Sequence, residues 1–283
     1  MQVNTVDELI SDLRQGRMVV LVDDDADSHN EGVVMVAAEH CDASHVNFMA
    51  RRARGLVCLT LTEERCRQLD LPPMVEDAMG EKSNFTLSIE AAEGIDTGIS
   101  AADRARTVQA AVAPHAVPSD IVQPGHIFPL RARRGGVLFR TGQTEGSVDL
   151  ARLAGLREAA VICEVMNDDG SMARLPDLET FAEKHSMKIA TVADIIAYRM
   201  RKESFVHRAA ETVLPTPFGE FRAIAFANDI DDYEHLALVK GEIDPEREVM
   251  VRVHSECLTG DVFGSYRCDC GEQLEKAMEM VQQ

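Results

Sequence analysis

Along the chain, short apolar runs alternate with amphipathic stretches, the pattern of a mixed α/β protein. Thr5 and Glu8 have capping-box spacing, Leu9 and Leu13 share a helical face, and Gly16 can close the turn, so the first element is a helix. MVVLV (18–22) is short, apolar and β-branched and predicts a buried strand. It empties into the polar DDDADSHNEG (23–32), and VVMVAAEH (33–40) is then expected as helix, a strand–acidic loop–helix arrangement suited to carrying chemistry. LVCLTL (56–61) predicts a strand, EERCRQLDL (63–71) a helix stopping at Pro72-Pro73, and NFTLSIEA (84–91) an alternating strand. SAADRARTVQAAVA (100–113) reads as a helix capped by Ser100. A strand at GGVLFR (135–140), a helix at DLARLAGL (149–156), a strand at AAVICEV (159–165) and helices at FAEKHS and VADIIAYRMRK complete this unit.

The polar stretch RKESFVHRAAET (201–212) is the best boundary, placing one domain at 1–203 and a second at 204–283. Beyond it FRAIAF, HLALVKGE and VMVRVH predict strands, and GEQLEKAMEMVQQ an amphipathic helix with Leu274, Ala277, Met278 and Val281 on one face. That helix reaches the end of the sequence without a Gly or Asn cap, and the second segment is thin for an independent core, so it is expected to be cut short.

Charge narrows the function. With 29 basic and 48 acidic residues the net charge is −19, which repels nucleic-acid backbones and leaves small ligands held by local cations. No apolar run approaches the ~18 residues of a membrane helix, and the start, MQVNTVDELI, has no signal-peptide pattern. Seven cysteines, odd in number and irregularly spread, argue for reduced thiols in the cytoplasm rather than a disulfide framework.

Three of the cysteines, Cys257, Cys268 and Cys270, fall within fourteen residues. Thiolates are soft donors suited to Zn²⁺, and three with an open position form a catalytic arrangement. A structural site with His254 as fourth ligand, or unligated core cysteines, are the plainer alternatives. Cys58 and Cys163, in apolar strand contexts, read as buried core thiols.

RVHSECLTGD (252–261), RCDCG (267–271) and the following Gln273 closely resemble the opening of GTP cyclohydrolase II, as do LPTPFGEF and HLALVKGE. The resemblance implies that Cys257, Cys268 and Cys270 hold zinc and that Arg252, Val253, His254, Ser255, Glu256 and Gln273 contact GTP. It also implies zinc-assisted opening of the imidazole ring of GTP, with release of formate and pyrophosphate. The family's domain continues past the point matched by Gln283, into its E-G-R segment and an Asp/Arg pair, so the chain as written is expected to lack cyclohydrolase activity unless it extends further.

Residues 5–200 resemble 3,4-dihydroxy-2-butanone-4-phosphate synthase through GLVCLTL, IEAAEGIDTGISAADRARTV, the long stretch 118–156 and VICEVMNDDGSMAR (161–174). The implied architecture is an α/β synthase-like domain followed by the first part of an α+β cyclohydrolase-like domain, in a homodimer. That synthase converts ribulose 5-phosphate to formate and a four-carbon phosphate with two Mg²⁺. By resemblance His126 and Glu164 are catalytic and Arg140 and Thr144 bind substrate. The family's D-D-E-D-R-E-N-E-G-D loop has changed here. Ser28 replaces its substrate-binding Arg, His29 its metal-binding Glu and Val33 its substrate-binding Asp, while Gln143 replaces the metal-binding His of R-x-G-H-T-E. Carboxylates and imidazole suit Mg²⁺, and a serine cannot make the bidentate contact of an arginine. The changes concentrate on the chemistry and spare the scaffold, so the expectation is a lost synthase activity and a first domain that serves as a dimerising scaffold. The competing readings are a synthase surviving on ribulose 5-phosphate with a changed metal set, or a repurposed site in which His29, Asp27 and Glu31 bind a softer metal or another sugar phosphate.

Overall fold

The computed structural model describes residues 4–23, 30–75, 84–230, 233–244 and 246–282. They form two compact units, Met1–Glu203 and Ser204–Gln283. Helix α1 (Val6–Arg14) opens the first unit with both arms of its capping box in place: Thr5 Oγ1 accepts from the Glu8 N–H, and the Glu8 carboxylate accepts from the Thr5 N–H. Strand β1 (Val19–Val22) then runs to the acidic loop, of which residues 24–29 lie outside the described residues.

The segment after the loop is a strand, β2 (Gly32–Ala37), and not the expected helix; it returns antiparallel beside β1, and only a single turn at Ala38–His40 follows. Every residue of β2 is buried, because both faces of the sheet are covered. On one face Val20, Val22, Val34 and Val36 pack under α2 (Ala43–Phe48), α4 (Ala101–Val112) and α6 (Leu175–Lys184). On the other, Val19, Leu21, Val33 and Met35 pack with Leu9 and Leu13 of α1, Leu150 of α5 (Gln143–Leu153) and Ile195 of α7 (Val192–Lys202). A strand buried on both faces reads as a continuous apolar run, which periodicity alone does not separate from a buried helix.

The remaining strands are β3 (Arg54–Thr62), β4 (Ile89–Ala91), β5 (Ile121–Ala132), β6 (Ala159–Val165) and β7 (Ile189–Thr191), with α3 (Glu63–Gln68) after β3. They complete a mixed seven-stranded sheet in the order β4-β5-β3-β6-β2-β1-β7. The run 84–91 is strand only at its end, with isolated bridges at Phe85 and Thr86. GGVLFR holds no strand: Gly135 and Gly136 take positive φ, and Gly136–Leu138 is a 3₁₀ turn whose Val137 N–H donates to Asp149 at 2.9 Å. Helix α5 starts six residues earlier than the 149–156 pattern suggested.

In the second unit, the stretch read as a boundary is strand β8 (Val206–Thr216), exposed along nearly its whole length. It pairs with β9 (Gly219–Asn228), which pairs with β10 (His235–Val239), both antiparallel. VMVRVH is not a strand; residues 249–254 run without regular structure toward a π-turn at Leu258–Val262 and helix α8 (Cys270–Gln282).

Candidate functional site

Sheet register assembles the first candidate site. Phe128 opposes Cys58, Cys58 opposes Ile162, and Ile162 opposes Met35. Two residues along from Ile162 and Met35, Glu164 and Val33 are directly paired, and His126 lies two residues before Phe128 on β5. The N-terminus of α5 meets this end of the sheet, where Gln143 Nε2 donates to the Glu31 carbonyl at 2.9 Å. Of the residues that the synthase resemblance singled out, Val33 and Glu164 thus meet across a strand pair and Gln143 reaches the segment just before β2. Ser28 and His29 lie outside the described residues.

Their partners show what each can do. His126 Nδ1 faces Glu90 Oε1 at 3.0 Å, the imidazole partly exposed and the carboxylate nearly buried. Glu164 Oε2 accepts from the Leu56 N–H at 3.1 Å, which fixes that carboxylate at the strand edge. Arg140 donates to Glu145 at 2.8 Å, and Glu145 also accepts from the Arg133 N–H. Burial pushes the Glu145 carboxyl up from its ordinary value against these favourable partners. Thr144 is buried beside it in the first turn of α5. Val33, fully buried and apolar, offers no ligand, and the Gln143 amide is committed to the backbone.

The second candidate site is the thiol cluster. The ligand atoms of Cys257, Cys268 and Cys270 all lie within 4.8 Å of one another, and among the described residues no other group of three or more His, Cys, Asp or Glu is so disposed. Gly260 makes this possible: a Cβ there would sit 2.9 Å from Cys268 Sγ and 3.4 Å from Cys257 Sγ. The Thr259 hydroxyl, the Gly260 N–H and the neighbouring thiols lower the Cys257 pKa to about 7. Cys270 is raised to about 12, chiefly because its thiol donates toward Cys268 and then Cys257, with burial and the neighbouring negative charge adding to this. The other four cysteines are buried core thiols, and burial pushes Cys41, Cys66 and Cys163 up to about 12 and Cys58 upward.

The structure also sorts the expected GTP contacts. Arg252 Nη2 donates to Gln273 Oε1, and Gln273 Nε2 donates to Asp269 at 2.8 Å, so these two residues meet beside Cys268 and Cys270. Val253, Ser255 and Glu256 are exposed. His254 does not join the thiols as a fourth ligand; its Nε2 faces Asp261 Oδ2 at 3.0 Å.

The family model of 3,4-dihydroxy-2-butanone 4-phosphate synthase matches residues 7–198, and that of GTP cyclohydrolase II matches residues 207–283. The chain belongs to the family of such synthases fused to a GTP cyclohydrolase II region. It is 56% identical over 281 residues to riboflavin biosynthesis protein RibBA of Aquifex aeolicus (strain VF5), covering 98% of this chain and 69% of that relative. Among solved structures it is similar to RibBX, a two domain 3,4-dihydroxy-2-butanone 4-phosphate synthase from A. baumannii, with a TM-score of 0.81 and 47% identity over 99% of this chain and 87% of that one. A 3,4-dihydroxy-2-butanone 4-phosphate synthase in complex with two magnesium ions aligns with a TM-score of 0.67 and 38% identity, over 70% of this chain and 98% of the other. The α/β class and the order of the two family regions agree with the sequence reading. Among the described residues no helix is long and apolar enough to cross a membrane.

Sequence reasoning missed Glu90, Glu145 and Asp261, the acids that hold His126, Arg140 and His254. Glu90 lies 36 residues from its partner, across a strand pair that Pro124, Gly125 and Pro129 disguise, so no local spacing marked it. Asp261 stood inside RVHSECLTGD, where nothing in the spacing set it apart.

Proposed function

We propose that this protein, in a chain that extends past Gln283, serves riboflavin biosynthesis through the GTP cyclohydrolase II reaction, the zinc-dependent opening of the imidazole ring of GTP with release of formate and pyrophosphate, and that its synthase unit no longer makes the butanone phosphate. The observation that carries this reading is the convergence of three thiols in one unit, set against replaced ligand positions in the other.

The thiol set fits zinc. Tetrahedral zinc with Zn–S bonds of about 2.3 Å spaces its sulfurs about 3.8 Å apart, and Cys257 Sγ and Cys268 Sγ stand 3.7 Å apart. Gly260 leaves the room that a side chain would fill. Zinc bound there would supply a Lewis acid that activates water near neutral pH. The protein's own groups bind and orient the nucleotide: Arg252 brings a cation into an acidic chain, Gln273 holds that guanidinium, and Val253, Ser255 and Glu256 lie open to solvent on the irregular segment leading to Cys257.

The described synthase positions do not fit a pair of Mg²⁺ ions. Hard cations require carboxylate or comparable oxygen donors; at the metal position of α5 Gln143 brings a neutral amide whose N–H turns to Glu31, and at the substrate position Val33 brings no polar group. In this reading the first unit is a scaffold within a cytoplasmic homodimer. Retention of His126, Glu164, Arg140 and Thr144 favours a second reading, a synthase working with a changed metal set. One pair of assays separates the two. The full chain given GTP and Zn²⁺ should release formate and pyrophosphate, and given ribulose 5-phosphate with Mg²⁺ or Mn²⁺ should release no formate. Formate from the sugar phosphate would favour the second reading.

A further inference from the structure

We propose that Asp261 is a positioning residue of the thiol centre, holding Cys257 and His254 so that the three sulfurs converge; this rests on the zinc reading above. Asp261 grips Cys257 from both sides of its peptide. Its Oδ2 accepts from the Cys257 N–H at 2.8 Å, and its own N–H donates to the Cys257 carbonyl at 2.7 Å. The same Oδ2 faces His254 Nε2 at 3.0 Å. One carboxylate thus fixes two residues of the segment 252–257 against the π-turn whose Gly260 touches Cys257 and Cys268.

Burial marks Asp261 as more than a turn residue. Its side chain is only 10% exposed and that of His254 17%, whereas Val253 is 86% and Val262 65% exposed. Apolar neighbours lie in solvent while a carboxylate is enclosed, the reverse of the usual order. Asp261 Oδ1 is buried and has no hydrogen-bond partner among the described residues. The Cys257 N–H and His254 already favour the ionised carboxylate through Oδ2, and a dication held by the adjacent sulfurs would add to that. Asp261 is not itself a ligand, because it stands outside the group of converging donor atoms. Carboxylates behind a metal's ligands orient them and tune affinity in this way. His254, expected from resemblance as a GTP contact, is then occupied in holding the cradle.

Cobalt(II) is the probe, because its sulfur-to-metal charge-transfer absorption reports thiolate coordination directly, without turnover. Asp261→Asn in the full chain should weaken cobalt binding by about 10–100-fold and shift that absorption, with the circular dichroism of the metal-free protein unchanged. Binding within about two-fold of the unmodified chain would overturn the proposal, since a change behind the ligands should cost more. Should Asp261→Asn fail to fold, His254→Ala carries the test, because it leaves the Cys257 N–H bond in place. It should weaken cobalt binding by a smaller factor, and unchanged affinity there overturns the proposal. If the unmodified chain gives no thiolate absorption, the zinc reading itself fails, an outcome distinct from equal binding by chain and variant.

Discussion

The two candidate sites of this chain are built in opposite ways. In the first unit a seven-stranded sheet covered on both faces pairs Glu164 with Val33 and carries His126 on a neighbouring strand, with an apolar side chain and a neutral amide at two of the positions that the synthase resemblance singled out. In the second, a three-stranded sheet with an exposed strand carries a complete thiol set on a turn and a helix end. A thin framework can therefore bring three soft donors together as closely as a well-packed one aligns its strands. Packing keeps apolar positions in place through burial; ligands are kept only by the function that uses them.

The largest effect should come from the thiols. Cys268→Ser with Cys270→Ser should lower zinc affinity by well over ~100-fold, beyond what changes behind a ligand cost, as metal content after dialysis would show. The first unit should keep its helical signal. Next, Val33→Asp places a carboxylate in a fully buried position opposite Glu164. Alone it should destabilise the first unit by about 3–5 kcal/mol as an uncompensated buried charge, read by chemical denaturation. Combined with Ser28→Arg, His29→Glu and Gln143→His, Mg²⁺ should recover part of that loss and ribulose 5-phosphate should now yield formate. No formate would mean that the synthase unit differs from its family at more than these positions.

A smaller change tests the cradle itself. Gly260→Ala, whose Cβ would lie 2.9 Å from Cys268 Sγ, should weaken zinc by about 10-fold, comparable to a perturbed ligand orientation. Isothermal titration would measure it. The smallest effect lies in the first unit's caps. Asp42 accepts from the Ser44 and His45 N–H groups at the start of α2, and Asp42→Ala should cost about 1 kcal/mol. Acid should reveal the same contacts. The Thr5 N–H, then Lys188, hold Glu8 at about 2, and the Ser44 hydroxyl chiefly holds Asp42 at about 2, against 4.5 and 3.8 ordinarily. Both pKa values are lowered in the folded state, so their stabilisation is complete above about pH 4.5 and is lost as pH falls toward 2. Thermal melts across that range should show the loss, and Asp42→Ala should flatten part of it.

The sequence by itself determined the elements whose signals are local. The Thr5–Glu8 box, the Ser100 cap whose Oγ accepts from Asp103, the strands at 19–22, 54–62 and 159–165 and the closing amphipathic helix all follow from neighbours within a few residues. The three cysteines were legible as a cluster of soft donors for the same reason, since they lie close along the chain. Tertiary structure decided what depends on distant partners. β2 is a strand because the sheet covers both its faces, and β5 persists through Pro124, Gly125 and Pro129 because β3 and β4 pair with it. Register alone set Val33 opposite Glu164. Only the fold turned His254 to Asp261 and Glu90 to His126, because buried charges take partners by proximity in space, which spacing along the chain does not encode.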